Sequence, residues 1–342
     1  MRSRSALMTP MRSRSAFLTI NLVFLFAIVA VSLSVGATQI DGLLSALLHP
    51  GANTSAAEIL WQIRIPRIVT ALIVGAALGV AGALAQGATN NPLAEPAILG
   101  TSAGAAIAVV IGVLANVVVI GSVGAMVIAA IGALLVTLLT LHFATLDRNV
   151  SPLNLVIIGL SLSATISAVV GLLTTAIARS DARSISFWSF GSLALTNSSD
   201  LIPLFIFTVV GITIALFVAP KLDLLSLGDT TARHLGIDPR QVRRIALIAL
   251  AILIGAAVST VGTISFLGLA APHIARLIGG PKHRPLILQS ALLGATVLLI
   301  ADTLARTIAA PNELNVGLFT ALIGAPVLAI LVRSRQSSWS QS

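Results

Sequence analysis

From position 96 to position 146 the chain carries no Asp, Glu, Lys or Arg. As one α-helix, rising about 1.5 Å per residue, that stretch would run far beyond the roughly 30 Å hydrocarbon core of a bilayer. It must fold back on itself, and Gly121 and Gly124 mark the expected turn. Charge-free stretches near 17–36, 68–86, 153–177, 201–220, 286–300 and 314–332 each fit one further crossing. Charged residues make up only 9% of the chain and hydrophobic ones 57%, against about 25% charged in a soluble domain. Backbone polar groups in lipid must be satisfied within their own segment. The sequence therefore predicts an all-α polytopic membrane protein.

The stretch 246–275 is also free of charged residues, too long for one crossing and short for two. Gly262, Gly268 and Pro272 interrupt it. One full span to about Thr263 is expected, then a short return helix around 269–278. Irregular backbone at such a break is tolerated only where protein or a water-filled cavity covers it. Counting the short helix gives ten crossings, and charge bias tests that count. With both termini cytoplasmic, the inside carries the arginines at 2, 4, 12 and 14, then Arg148, Lys221, Arg233, Arg240, Arg243, Arg244, Arg276, Lys282, Arg284, Arg333 and Arg335. Those are 15 of the 20 Lys and Arg residues, leaving Arg64, Arg67, Arg179, Arg183 and Arg306 outside. A non-crossing short helix would reduce the split to 11 against 9.

The net charge of +9 sits in short clusters between apolar runs, the pattern of cytoplasmic loops rather than of a nucleic-acid surface. No cysteine is present, which excludes disulfides and thiolate metal sites. His49, His142, His234, His273 and His283 are scattered without metal-ligand spacing, so no metal and no cofactor is expected. His273 reads as a packed polar residue. The block at 1–6 recurs at 11–16, which makes Met1 and Met11 alternative starts. The apolar run that follows lacks a clean small-residue cleavage site and reads as a first span. The division is thus a basic tail at 1–16, one transmembrane unit at 17–334 and a tail at 335–342. Gly75 and Gly79 form a small-xxx-small step with Gly82 nearby, suited to close helix packing within the chain or between subunits.

Three polar islands interrupt the apolar runs. The first reads Asn90-Asn91-Pro92-Leu93-Ala94-Glu95-Pro96, followed by Leu99-Gly100-Thr101-Ser102-Ala103-Gly104. Its prolines stop helices on both sides. The second runs from Leu224 through Leu225, Ser226, Leu227, Gly228 and Asp229 to Ala232, Arg233, Leu235 and Gly236. It predicts a short amphipathic helix ended by Gly236, with Leu224, Leu225, Leu227 and Leu235 as its apolar face. Such a helix suits either a partner's groove or the lipid headgroups. The third is Gly262-Thr263-Ile264-Ser265-Phe266-Leu267-Gly268-Leu269, then Ala271-Pro272-His273. Glu95 and Asp302 are the acids closest to apolar spans, and both lie near span ends. A proton-coupled carrier would show ionisable groups mid-membrane instead.

Together with Arg64-Ile65-Pro66-Arg67, Trp188-Ser189-Phe190-Gly191-Ser192-Leu193, Asp302 with Arg306, and Glu313-Leu314-Asn315-Val316-Gly317, these islands resemble the permease subunits of binding-protein-dependent ABC importers for iron chelates, haem and vitamin B12. The resemblance runs from about Trp61 to Val332. One departure is Asn315, where that family usually has proline, which predicts a looser start to the last helix.

The resemblance implies the type II ABC importer permease fold in a bacterial cytoplasmic membrane. It implies a second permease subunit, two cytoplasmic ATPase subunits and an extracytoplasmic binding protein. The chain has no G-x-x-x-x-G-K-[ST] loop with which to cradle nucleotide phosphates, so ATP hydrolysis falls to the separate subunits. By motif position, Arg64, Arg67 and Arg306 would dock the binding protein, arginine's planar fork being suited to carboxylates. Snorkelling of Arg64 and Arg67 and an i,i+4 pair of Arg306 with Asp302 are the structural alternatives. Ser226, Leu227, Gly228, Asp229, Ala232, Arg233, Leu235 and Gly236 would contact the ATPase. Asn91, Pro92, Leu93 and Ser151 would line the inner gate. The segment 184–193 would form a short outer helix beside the pathway. An iron(III)-siderophore-type chelate is the expected cargo, with vitamin B12 or haem as alternatives; an ion-coupled carrier and a non-transporting scaffold are the readings from other classes.

Overall fold

The computed structural model describes residues 10–36, 38, 40–52, 54–144, 152–175, 185–322, 324 and 326, and among them every regular element is helical. The elements are α1 (Pro10–Ser34), α2 (Leu43–Leu48), α3 (Ser55–Thr89), α4 (Thr101–Leu114), α5 (Val123–Ala144), α6 (Pro152–Thr175), a short α7 at 185–189, α8 (Ser198–Leu225), α9 (Asp229–His234), α10 (Pro239–Val261), α11 (Leu267–Gly279) and α12 (His283–Ala305). A final helix, α13, begins at 316. Seven of these (α1, α3, α5, α6, α8, α10 and α12) are long and apolar enough to cross a membrane, and α4 and α11 are shorter apolar helices. With α13, of which 316–322, 324 and 326 are described, they follow the order of the ten expected segments.

Three helices make the interior. α3, α10 and α12 are mostly buried, whereas α1 and α6 bury little of their surface in this chain. The largest helix contact is α3 against α12, and glycine makes it possible. A Cβ on Gly75 would stand 2.7 Å from the Ala295 Cα, and Gly79 lies against the backbone of Ser290. The small-residue step thus packs within the chain.

The two short helices are explained by the irregular backbone beside them. At about 1.5 Å per residue, α4 spans about 21 Å and α11 about 20 Å, less than a hydrocarbon core. Chain 90–100 does not simply turn at the end of α3. It climbs back into the bundle, where Pro96 meets Gly268 and Gly268 meets Gly82, well inside α3. The Leu99 carbonyl accepts from Thr140 Oγ1 at 2.9 Å, and the Ala97 carbonyl from Ser163 Oγ at 3.3 Å. At the other break, the Val261 carbonyl accepts from the Ser192 amide at 2.8 Å. Thr263 Oγ1 donates to the Ser189 carbonyl at 2.6 Å. The two breaks meet where the Glu95 carboxylate accepts the Phe266 amide. Protein therefore covers irregular backbone at both places.

Three expectations change in detail. The fold-back between α4 and α5 turns at Gly121 (φ 82°), whose amide donates to the Ser259 carbonyl at 3.0 Å, but Gly124 already lies within α5. The expected single amphipathic helix of the second island is divided: Leu224 and Leu225 end α8, a bend follows, and α9 is only six residues long. Asn315 does not loosen the last helix, because its Nδ2 donates to the Phe187 carbonyl at 3.0 Å and its carbonyl accepts from the Phe319 amide.

Candidate functional site

Two polar assemblies occupy opposite ends of the interior helices. The first gathers Arg64, Arg67 and Arg306. After a first α-helical turn at Ser55–Glu58, α3 widens into a π-helical turn over Ile59–Arg64, in which the Ile65 amide reaches back to the Leu60 carbonyl. The wide turn stands directly before Pro66, which has no N–H to give and crowds the preceding turn. It brings Arg64 and Arg67 onto the side of α3 that faces α1 and α12. The three arginines are only 3%, 5% and 5% exposed, so they neither snorkel nor present free forks. Arg67 Nε donates to Asp302 Oδ1 at 2.9 Å, and its Nη1 donates to both Glu313 carboxylate oxygens at 2.9 Å. Arg306 Nη2 donates to Ser32 Oγ at 2.7 Å, and its Nε stands 3.7 Å from Asp302 Oδ2, the i,i+4 pair. Arg64 donates to the Leu33 carbonyl at 2.5 Å and to that of Thr38.

The structure thus joins the three arginines the sequence singled out with Asp302, the expected i,i+4 partner of Arg306, and it adds Ser32 and Glu313. Arg67 and Asp302 are 235 positions apart in the chain. Burial of this kind requires paired charges and satisfied hydrogen bonds. Gly36 closes over the cluster: a Cβ there would stand 2.7 Å from the Arg64 Nη2 and 3.0 Å from the Arg306 Nη1.

The second assembly surrounds α9. Gly228, at φ 98°, turns the chain from α8 into α9, and Gly236, at φ 78°, turns it out again. Ser226 Oγ donates to the Asp223 carbonyl at 2.6 Å and shapes the same bend. Ala232 is buried under the helix, while Leu227 and Leu235 are 59% and 54% exposed and Arg233 is exposed. An exposed leucine at each end of a short helix is a surface suited to a partner. Asp229 pairs with Arg243 of α10, Nη1–Oδ2 at 2.8 Å and Nη2–Oδ1 at 2.7 Å, rather than with anything on its own helix. These bonds hold the Asp229 carboxyl below its usual range, against partial burial and with help from the charges of Arg243 and Arg233.

The gate candidates follow α3 at this same end. Asn90 takes the left-handed conformation (φ 49°) that ends α3. Asn91 Oδ1 accepts the Leu93 amide at 3.0 Å, an Asx turn that fixes the loop through Pro92. Asn91, Pro92 and Leu93 are all half-buried. Ser151 lies outside the described residues. His273 is buried. No group of three or more His, Asp or Glu side chains suited to a metal ion occurs among the described residues. Arg243 is the residue of this assembly that sequence reasoning misses. In the sequence it is one of several loop charges, and only its position one turn into a helix opened by Asp238 and Pro239 could have marked it.

A sequence model of the FecCD transport family matches residues 22–334. The iron(3+)-hydroxamate import system permease protein FhuG of Bacillus subtilis (strain 168) is 33% identical over 295 residues, covering 84% of this chain and 86% of that protein. The hemin transport system permease protein HmuU of Yersinia pestis is 38% identical over 284 residues, covering 81% and 84%. The cobalamin import system permease protein BtuC of Halobacterium salinarum is 37% identical over 260 residues, covering 76% and 69%. Among solved structures, an inward-facing conformation of a metal-chelate type ABC transporter superposes with a TM-score of 0.79 at 30% identity, covering 94% of this chain and 99% of that one.

Proposed function

Because the chain belongs to the FecCD transport family, we propose that it forms the translocation pathway of an ATP-driven importer for an iron(III)-siderophore-type chelate. It is the membrane-spanning permease of that importer and leaves nucleotide chemistry to a separate ATPase. The observation that carries the reading is α9: a six-residue helix between two left-handed glycines, with Leu227 and Leu235 exposed beside it. An ATPase seated on that surface from the cytoplasm would receive the leucines in a groove, with Arg233 at its edge. Asn91, Pro92 and Leu93, one short step from α9, then line the inner gate, a role that falls to Ser151 as well.

The arginine cluster lies at the extracytoplasmic end in this arrangement. Arg64, Arg67 and Arg306 serve binding-protein docking by holding that rim in shape, since their guanidinium groups are engaged inside the chain. The pathway runs between this chain and a second permease subunit, identical or homologous. Both termini lie in the cytoplasm, as the charge bias favours. Relatives named for iron hydroxamate, hemin and cobalamin define the cargo class to be searched.

Reconstitution in liposomes with candidate ATPase subunits and binding proteins tests the proposal. ATP-dependent accumulation of a ferric hydroxamate is expected. Accumulation of haem or cobalamin instead would move the cargo assignment, and uptake driven by an ion gradient without ATP would overturn the importer. In the same assembly Leu227→Glu should abolish uptake and ATPase co-purification while leaving membrane insertion intact. Unchanged uptake would remove α9 from the ATPase contact.

A further inference from the structure

The last turn of α3 is gripped from two sides by side chains that lead back to α9. On one side Arg243 Nε donates to the Ala88 carbonyl at 3.0 Å while its two terminal nitrogens hold the Asp229 carboxylate. One guanidinium therefore joins α9, α10 and α3. On the other side Asp223, two residues before the end of α8, accepts from the His283 amide at 2.8 Å and lies 2.7 Å from its Nδ1. His283 is buried, and its Nε2 packs so close to α3 that a Cβ on Gly87 would stand 2.6 Å away. Ala88 is followed directly by Thr89, Asn90 and the Asn91–Leu93 turn.

The bonds are placed for transmission rather than for strength. The Asp229–Arg243 pair is 41% and 31% exposed, and ion pairs this exposed add little to stability. A lone arginine at the C-terminal end of a helix would already be favourable through the helix dipole. Here the arginine comes from another helix, 155 positions away in sequence, and it commits the rest of its fork to α9. α9 otherwise touches the chain mainly through α8, which precedes it, and α10, which follows it. Any displacement of α9 must therefore pull on Arg243, and any displacement of the end of α8 must pull on His283. Both pulls end on Gly87 and Ala88, because helices and packed cores move as units with discrete arrangements rather than deforming smoothly.

We propose that Arg243 and His283 are positioning residues that carry movement of α9 to the gate loop at Asn91–Leu93. The inference rests on the reading of α9 as the ATPase contact and adds the path from that contact into the bundle. Because the chain has no cysteine, Thr89→Cys supplies a single reporter beside Ala88. Its reaction with a membrane-impermeant maleimide is followed in the permease–ATPase assembly, with and without ATP plus vanadate.

The nucleotide-dependent change in labelling rate should fall about tenfold in Arg243→Gln, the scale of losing charge-assisted hydrogen bonds. ATP hydrolysis should stay within about twofold, since the partner surface of α9 remains. His283→Ala should weaken the response by a smaller factor. Arg243→Lys should recover only part of it, having one donor centre where a fork serves two acceptors. The exchange Asp229→Arg with Arg243→Asp restores the ion pair but not a donor for the Ala88 carbonyl, so it should not rescue the response. A full nucleotide response in Arg243→Gln, or full rescue by the exchange, overturns the proposal. A Thr89→Cys parent chain whose thiol never responds to nucleotide, or that fails to hold the ATPase, overturns the reading of α9 itself.

Discussion

Asp302 has no solvent exposure, and its carboxylate is held by Arg67 with Arg306 nearby. Asp302→Asn leaves two buried guanidinium groups short of an anion, and breaking a buried pair in this way costs about 3–5 kcal/mol. Thermal unfolding of the purified protein in detergent should show it as a large drop, bigger than for Glu313→Gln at the exposed side of the same cluster. Asp229 behaves differently because its pair faces water. Its carboxyl titrates below the usual range when Arg243 is in place. The pair's stabilisation is therefore fully present above the ordinary carboxylate value and is lost only as pH falls through the lower folded value. The stability difference between the parent chain and Asp229→Asn should be small, under about 1 kcal/mol, constant from pH 8 to pH 5, and should shrink as pH falls below the ordinary carboxylate range. A difference that changes between pH 8 and pH 6 would contradict this pairing. The sequence showed the i,i+4 spacing of Asp302 and Arg306 and placed Asp229 on the second island, but neither the Arg67–Asp302 pair nor the Asp229–Arg243 pair was legible. Arg64 and Arg67 stood out as charges flanking apolar runs, but their partners lie in distant segments, and nothing in local spacing says whether a guanidinium points outward or in.

At the level of helices, the α3–α12 seam sets the strictest demand. Gly79→Leu places a branched side chain where the Ser290 backbone now lies. The helices must separate, and overpacking of this kind costs about 1–3 kcal/mol. The expected outcome is a fall in folded yield and melting temperature, with Ala71→Leu on the same helix as a comparison for ordinary core overpacking. Helix identity was the most legible feature: runs without charge, broken by Gly and Pro, located α5, α6, α8 and α12 closely. The π turn before Pro66 and the division of α8 from α9 were not legible. Both depend on how backbone donors are shared, at Pro66 because one donor is missing and at Gly228 because the bend needs a left-handed residue, and periodicity carries neither. Asn315 shows the reverse error, a substitution that looked loosening in sequence and acts as an anchor through Phe187.

For the molecule as a whole, the arrangement divides into a glycine-packed interior and a periphery of helices that bury little within one chain. Placement of the arginine cluster at one end and the α9 assembly at the other fits the charge bias, and a reporter assay checks it. A cysteine at Ala115, in the α4–α5 turn, should label from the extracytoplasmic side only, and one at Arg240 from the cytoplasmic side only. Labelling of both from the same side would break the ten-crossing arrangement, and exchange of the two sides would invert it. The meeting of the two irregular stretches, Glu95 on one and Phe266 on the other, also bears on how such proteins can be recombined. Each stretch completes the hydrogen bonding of the other across 171 positions of sequence. A chimera that takes 90–100 from a relative but keeps its own 262–268 inherits two halves of a joint cut to different patterns. Swaps that move both stretches together should insert and fold where single-segment swaps do not.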